Sequence, residues 1–441
     1  MKNIENKYLW QLWFVLIIEI FFVSLFKSSI SDYETVGLIL VIVHGVTSTF
    51  ILASSGNKYS TLFIWALIAR FVFMLWDLYA RNIFILPNSE GDTEFFYEWA
   101  KIISEDLSYL NASIRGGLYS KIIGVIFYFT GPMRILGQYI NVLLGLMVVI
   151  YIHKVLNLLK VNDNTIKTIL IIAAFFPNSL IMSAIFLREI LPTFFVVVSL
   201  YYFVKWYLKN NFLIFIWSLF FVGFAAMFHS GVIGLALGYL FMFLFYDHSA
   251  EKFRFTIRNF ILFIPVLAFV FLFTTQFGDV VFYKFRTLEE PSDIYESVKV
   301  AEGGSAYLQG LTINNPLQLI VYGPIRAFYF LFSPLPWNWR GIQDIILFII
   351  DSVFYGYVFY YFFKNKKFFL QHKRIVIAIL LAIVVVSFIY GIGVSNAGTA
   401  MRHRQKIVPV FLVMLGIMKH EKRRAKLFIE KLSIKKQINN K

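Results

Sequence analysis

Apolar runs separated by short charged stretches recur along almost the whole chain. A helix needs about 20 apolar residues to cross a bilayer. Residues 9–27, 36–54, 60–80, 133–156, 165–183, 189–207, 212–228, 232–246, 259–276, 342–363, 374–392 and 406–418 reach or approach that length. The pattern predicts an all-α polytopic membrane protein with about 12 transmembrane helices. Two further apolar pieces fit differently. Residues 117–131 are short and carry Lys121, and 317–334 run into "SPLPWNWRG". Counting either as a crossing would invert everything downstream, so both are read as juxtamembrane or re-entrant segments on the exterior face, where protein or water must satisfy their backbone.

Placing the N-terminus inside puts the basic runs around 58, 154–167, 205–209, 252–258 and 364–374 in cytoplasmic loops, as the positive-inside rule requires. Lys2 and Lys7 precede the first apolar run with no small-x-small cleavage pattern after it, so it is expected to stay as the first helix. Residues 1–418 then form one transmembrane domain with long exterior loops at 81–116 and 277–316. Within the second loop, Gly303 and Gly304 are expected hinges of a lid. The basic stretch from 419 to 441 is a tail on the cytoplasmic face, so both termini lie in the cytoplasm of a multi-pass cell-membrane protein.

Composition agrees with this reading and narrows the chemistry. The chain has 441 residues, 59% hydrophobic and 15% charged, with a net charge of +16 and no cysteine. Because the basic residues sit between apolar runs and in the tail, the charge reflects topology and an anionic leaflet, and no nucleic-acid partner is expected. Without cysteine there is no thiol catalysis and no thiolate metal site. Walker A, dinucleotide-binding glycine, H-E-x-x-H and G-x-S-x-G patterns are also missing.

Four clusters are candidates for chemistry. The first is acidic: Glu90, Asp92, Glu94 and Glu98 lie within "SEGDTEFFYEWAKIIS" (89–104), at the start of the first exterior loop. A helix beginning near Thr93 would place Glu94 and Glu98 on one face. A partly desolvated carboxylate beside a second one can hold the raised pKa of a general base, or bind a divalent cation such as Mg or Mn. The plainer reading makes Asp92 the cap of an amphipathic surface helix, with Asp77 and Arg81 a local pair.

In "FLREILP" (186–192), Arg188 and Glu189 interrupt apolar sequence, either facing a polar cavity or sitting in a turn at the headgroups. In "SNAGTAMRHRQKIVP" (395–409), Arg402, His403, Arg404 and Lys406 are expected outside, against the positive-inside trend. Cations at a helix N-terminus suit phosphate or pyrophosphate. His229 in "MFHSG" and the arginines flanking "SPLPWNW", Arg326 and Arg340, are either interfacial residues or further phosphate ligands.

The order of these features resembles the GT-C superfamily of membrane glycosyltransferases, which includes the polyprenyl-phosphate-sugar-dependent protein mannosyltransferases. The shared series is an acidic motif in a large exterior loop (Gly91-Asp92-Thr93-Glu94), "LYSKIIGVIFYFTG", "FFPNSLIMSAIFLREILP", the "MFHSG" turn and a late Arg-rich element. The resemblance covers most of the chain. It implies a GT-C-like fold, a polyprenyl-linked sugar donor entering from the bilayer, and a glycan, lipid or protein acceptor. Asp92 would be the base, Glu94 its support or a metal ligand, and Arg402, Arg404 and His403 the phosphate ligands. The acidic loop follows the third span here, where that superfamily has it after the first. "NAGTAMRHR" and "SPLPWNW" look more like capsule or O-antigen polymerases, which use lipid-pyrophosphate-linked repeat units. A flippase for lipid-linked oligosaccharides is a third, non-enzymatic reading; it would call for internal repeats and mid-membrane charges, which the sequence lacks.

Overall fold

A computed structural model describes residues 4–264, 304–309, 311, 316–372 and 374–439. Most of the loop expected at 277–316, Gly303, and the span expected at 259–276 beyond Ile264 lie outside the described residues. The regular structure of the described chain is helical, apart from a two-residue antiparallel hairpin pairing Tyr246 with Phe253 and Asp247 with Lys252 and an isolated bridge between Ala306 and Asn396.

The helices are α1 (Ile4–Leu25), α2 (Tyr33–Ser54), α3 (Ser60–Tyr79), α4 (Asp92–Glu105), α5 (Leu118–Thr130), α6 (Arg134–Leu158), α7 (Asp163–Phe175), α8 (Pro177–Ala184) and α9 (Ile190–Lys209). After these come α10 (Phe212–Phe228), α11 (Gly234–Phe245), α12 (Pro316–Phe332), α13 (Ile342–Lys364), α14 (Lys366–His372), α15 (Arg374–Gly393), α16 (Ala397–Arg404) and α17 (Val408–Asn439). Of the described helices, seven are long and apolar enough to cross a membrane, or eight if α7 and α8 count as one bent span. Large apolar side chains on their outer faces, Trp10, Phe14 and Phe50 among them, are left uncovered by the chain. Such surfaces need lipid around them. The chain is therefore an α-helical membrane protein.

The span expected at 165–183 is broken. Pro177 has no backbone N–H to donate and its ring crowds the preceding turn, so α7 stops and α8 restarts at 49° to it. The runs at 212–228 and 232–246 form helices of 17 and 12 residues, shorter than a full crossing by this measure. Residues 117–131, read as too short to cross, form the 13-residue α5.

The fold divides into two compact units, residues 1–150, 171–195 and 227–229 in one, and 151–170, 196–226 and 230–441 in the other. In the first, Asp32 caps α2 by accepting from the backbone N–H groups of Glu34 and Thr35. α4 is amphipathic: Thr93, Phe96, Ala100 and Ile103 are buried while Phe95 and Glu98 face outward. Its buried face lies against α5, where Gly124 sits so close that an added Cβ would come within 2.7 Å of Ile103.

In the second unit, α15 is the central element. Gly391 lies against the backbone of Arg326 and Ala327 in α12, with an added Cβ only 2.6 Å from the Ala327 nitrogen. The apolar start of α17, Val408–Met418, is buried. The segment around Ser305 is tied to the entry of α16 by hydrogen bonds from Tyr307 N to Ser395 O and from Ala397 N to Ser305 O, both 2.9 Å.

Candidate functional site

The acidic stretch enters its helix through Gly91, whose φ of 71° is a conformation that costs glycine little. Gly91 takes the capping position without a side-chain bond, so Asp92 is the first helical residue and not the cap. Its carboxylate accepts from Arg115 at 3.0 Å, and both side chains keep contact with solvent. Arg115 also stacks over the Phe95 ring at 4.0 Å.

Glu94 has a different role from the one its spacing predicts. Its Oε1 accepts from Arg81 Nη1 at 2.8 Å and from Arg134 Nη2 at 2.7 Å, while Arg134 Nη1 donates to Oε2. This clamp, Arg134 above all, holds the Glu94 carboxyl down to about 2. The expected raised pKa is thus reversed, because the charges around Glu94 are cations. Glu98 is exposed and is not part of the clamp. A divalent cation on Asp92 and Glu94 does not fit this donor set: both Glu94 oxygens already accept from guanidinium groups, and no group of three acidic or histidine side chains able to hold a metal occurs among the described residues.

Below the clamp, Asp77 is fully buried at the end of α3. One oxygen accepts from Ser89 Oγ, and the other from Gln138 Nε2 at 2.6 Å and Arg81 Nη2 at 3.1 Å. The i,i+4 pair with Arg81 is present, yet it is one edge of a network joining α3, α4 and α6. That network fixes Arg81, and through it one side of Glu94.

Arg188 belongs to the same unit. Its guanidinium lies 5.7 Å from the Phe96 ring and against Gly117, the second of two glycines with positive φ, 93° at Gly116 and 56° at Gly117. The turn that carries Arg188 is held by Asn141, whose Nδ2 donates to the Ile185 and Leu187 carbonyls, both at 2.9 Å. Glu189 is fully buried, so this adjacent pair faces two environments. His229, half-buried, follows the last turn of α10. The first unit thus pairs Asp92 with Arg115 at the start of α4 and sets Arg188 against Phe96 and Gly117.

The late cationic cluster lies in the second unit and is split by its own helix. Arg404 is completely buried: its Nη1 donates to the Leu331 and Ser333 carbonyls at 2.7 Å each, and its Nη2 is 3.5 Å from Asp351. It closes the C-terminal end of α12 and does not serve as a phosphate ligand. Arg326 does the same for α15, donating to the carbonyls of Gly391 at 3.0 Å and Ile392 at 3.1 Å. Arg340 is clamped by Asp344 through Nε at 3.1 Å and Nη2 at 3.3 Å. It borders a cavity of about 20 Å³ beside Ser305 and Asn338, room for a water but not a phosphate. Of the expected anion ligands in this unit, Arg402 and His403 are half-exposed. The His403 ring stacks on Tyr390 at 5.2 Å and approaches Lys406 Nζ at 3.1 Å.

Sequence reading missed Arg115, Arg134, Gln138 and Asn141. The polar residues at 138 and 141, three apart inside the apolar α6, were the available signal. Comparison of the chain with known protein families, curated proteins and solved structures found no match.

Proposed function

We propose that the chain is an integral membrane glycosyltransferase that moves a sugar from a polyprenyl-linked donor to a glycan, lipid or protein acceptor, in cell-surface polysaccharide or glycoconjugate assembly. In this reading the fold is GT-C-like with about 12 spans, counting the shorter apolar helices and the segment beyond Ile264. The loop carrying α4 is exterior, and both termini are cytoplasmic. The observation that carries the proposal is a solvent-accessible carboxylate, Asp92, paired with Arg115 at the start of α4, with a second cation, Arg188, over the Phe96 ring one turn along the same helix.

That arrangement suits sugar transfer from a phosphate leaving group. The acceptor hydroxyl gives its proton to Asp92 as its oxygen bonds to the anomeric carbon. The bond from that carbon to the donor phosphate oxygen breaks, and the new negative charge falls to the guanidinium groups. Glu94 is then a positioning residue, holding Arg81 and Arg134 in place. The surplus of arginines over accessible carboxylates also favours a second reading, a polymerase acting on undecaprenyl-pyrophosphate-linked repeat units.

Membranes carrying Asp92→Asn or Arg188→Ala, assayed for transfer from extracted lipid-linked donors, separate the two readings. Loss of transfer in Asp92→Asn, with the protein intact, supports the base role. Full transfer in Asp92→Asn with loss in Arg188→Ala supports the pyrophosphate reading. Full transfer in both refutes the site.

A further inference from the structure

A cavity of about 490 Å³ lies far along the chain from the candidate site, where α17 passes the start of α7. It is lined by Asn162, Asp163, Asn164, His420, Arg423, Arg424 and Leu427. Positions 420, 423, 424 and 427 recur at helical spacing, so one face of α17 carries a histidine, two arginines and a leucine. Opposite that face stand the first residues of α7. Asn162 caps this helix, accepting from Thr165 N at 3.0 Å, while its own backbone N–H donates to His420 Nδ1 at 3.1 Å. With Nδ1 as acceptor, the neutral His420 ring carries its proton on Nε2.

Arg423 and Arg424 are exposed and have no hydrogen-bond or ion-pair partner among the described residues. Each guanidinium offers a planar fork of donors, and the α7 N-terminus adds the positive end of a helix dipole. Asp163 puts one carboxylate on the wall, so the lining is cationic by the margin of the second arginine. Immediately before this face, α17 is buried and apolar over Val408–Met418, and the charged residues begin at Lys419. The cavity therefore sits where the chain leaves its apolar zone, with Leu427 on its rim.

We infer that this cavity is a binding site for a phosphate monoanion or diester, filled by the headgroup of an anionic membrane lipid. Its volume suits a phosphoglycerol headgroup, within the ordinary range of small-molecule sites. The paired forks and helix terminus select phosphate, at the depth where a headgroup meets the helix as it leaves the apolar zone. The site is independent of the transfer reaction and requires only that α17 leave the bilayer near Lys419.

The test uses the purified full chain in dodecyl maltoside, following apparent Tm by intrinsic fluorescence. Phosphatidylglycerol, phosphatidylcholine or inorganic phosphate is added, and retained lipid is read by native mass spectrometry. Phosphatidylglycerol is expected to raise Tm and remain bound, with phosphatidylcholine inert. Arg423→Gln/Arg424→Gln should need about 10-fold more phosphatidylglycerol. Lys366→Gln/Lys367→Gln, an equal charge loss on α14, should behave as the unmodified chain. Protection by inorganic phosphate equal to that by the lipid, and lost in the arginine variant, keeps the phosphate site but assigns it to a soluble ligand. Two results overturn the inference: no protection by either, or undiminished protection in the arginine variant.

Discussion

Replacing Glu94 with Gln tests the clamp at the start of α4. The change keeps the shape but removes the charge that two guanidiniums share. With the carboxyl held at about 2 against an ordinary 4.5, the ceiling on its contribution is roughly 3 kcal/mol. The side chain is 44% exposed, so solvent screening reduces this to about 1–2 kcal/mol. The depressed value also fixes a pH window. The contribution is complete above the unfolded-state value near 4.5 and drains away as pH falls toward 2, with more than half gone by about pH 3.

Apparent Tm of the purified protein, followed by tryptophan fluorescence, is therefore expected to fall on the order of 1–2 °C in Glu94→Gln at pH 7. The difference from the unmodified chain should shrink by at least half at pH 3. A variant as stable as the parent at pH 7 would refute the clamp. A loss of the same size at both pH values would show that packing, not charge, is what the substitution removed.

Three further outcomes follow from buried contacts. Arg404→Met leaves Asp351 without its cation and should cost about 3–5 kcal/mol, read as lost folded protein on size-exclusion chromatography; Arg404→Met/Asp351→Asn should recover much of it. Asn141→Ala uncovers the Ile185 and Leu187 carbonyls and is expected to cost about 1–3 kcal/mol in thermal unfolding while lowering transfer through misplacement of Arg188. Gly391→Ala drives a methyl group into the α12 backbone, so its apparent Tm should drop by several degrees, whereas Gly223→Ala, with open space at its Cβ position, should not.

Helix positions were legible where composition alone decides. The runs at 36–54, 60–80 and 374–392 became Tyr33–Ser54, Ser60–Tyr79 and Arg374–Gly393, because a continuous apolar stretch has few other ways to satisfy its backbone in lipid. The break at Pro177 was harder to foresee, since membrane helices tolerate proline when neighbours cover the freed carbonyl. The acidic stretch was recognisable as a place of interest, but its chemistry was not. Glu94 is controlled by Arg134, forty residues further along and recorded in the sequence only as a charge ahead of an apolar run. Likewise Arg402 and Arg404 look equivalent in the sequence, yet positions two apart on a helix point away from each other, and one turned inward.

Arg326 and Arg404 also set an order of assembly. Arg326 is synthesised well before its acceptors, Gly391 and Ile392, whereas Leu331, Ser333 and Asp351 are all made before Arg404 reaches them. During synthesis, α12 thus carries a cation whose carbonyl partners lie 65 and 66 residues further along the chain. A nascent chain halted between residues 352 and 403 contains the Asp351 carboxylate without its guanidinium. Completion of α15 and then α16 supplies the missing groups in turn, so this part of the protein is locked from its C-terminal side. Protease resistance of α12 in stalled chains should therefore rise in two steps, once past residue 392 and again past residue 404.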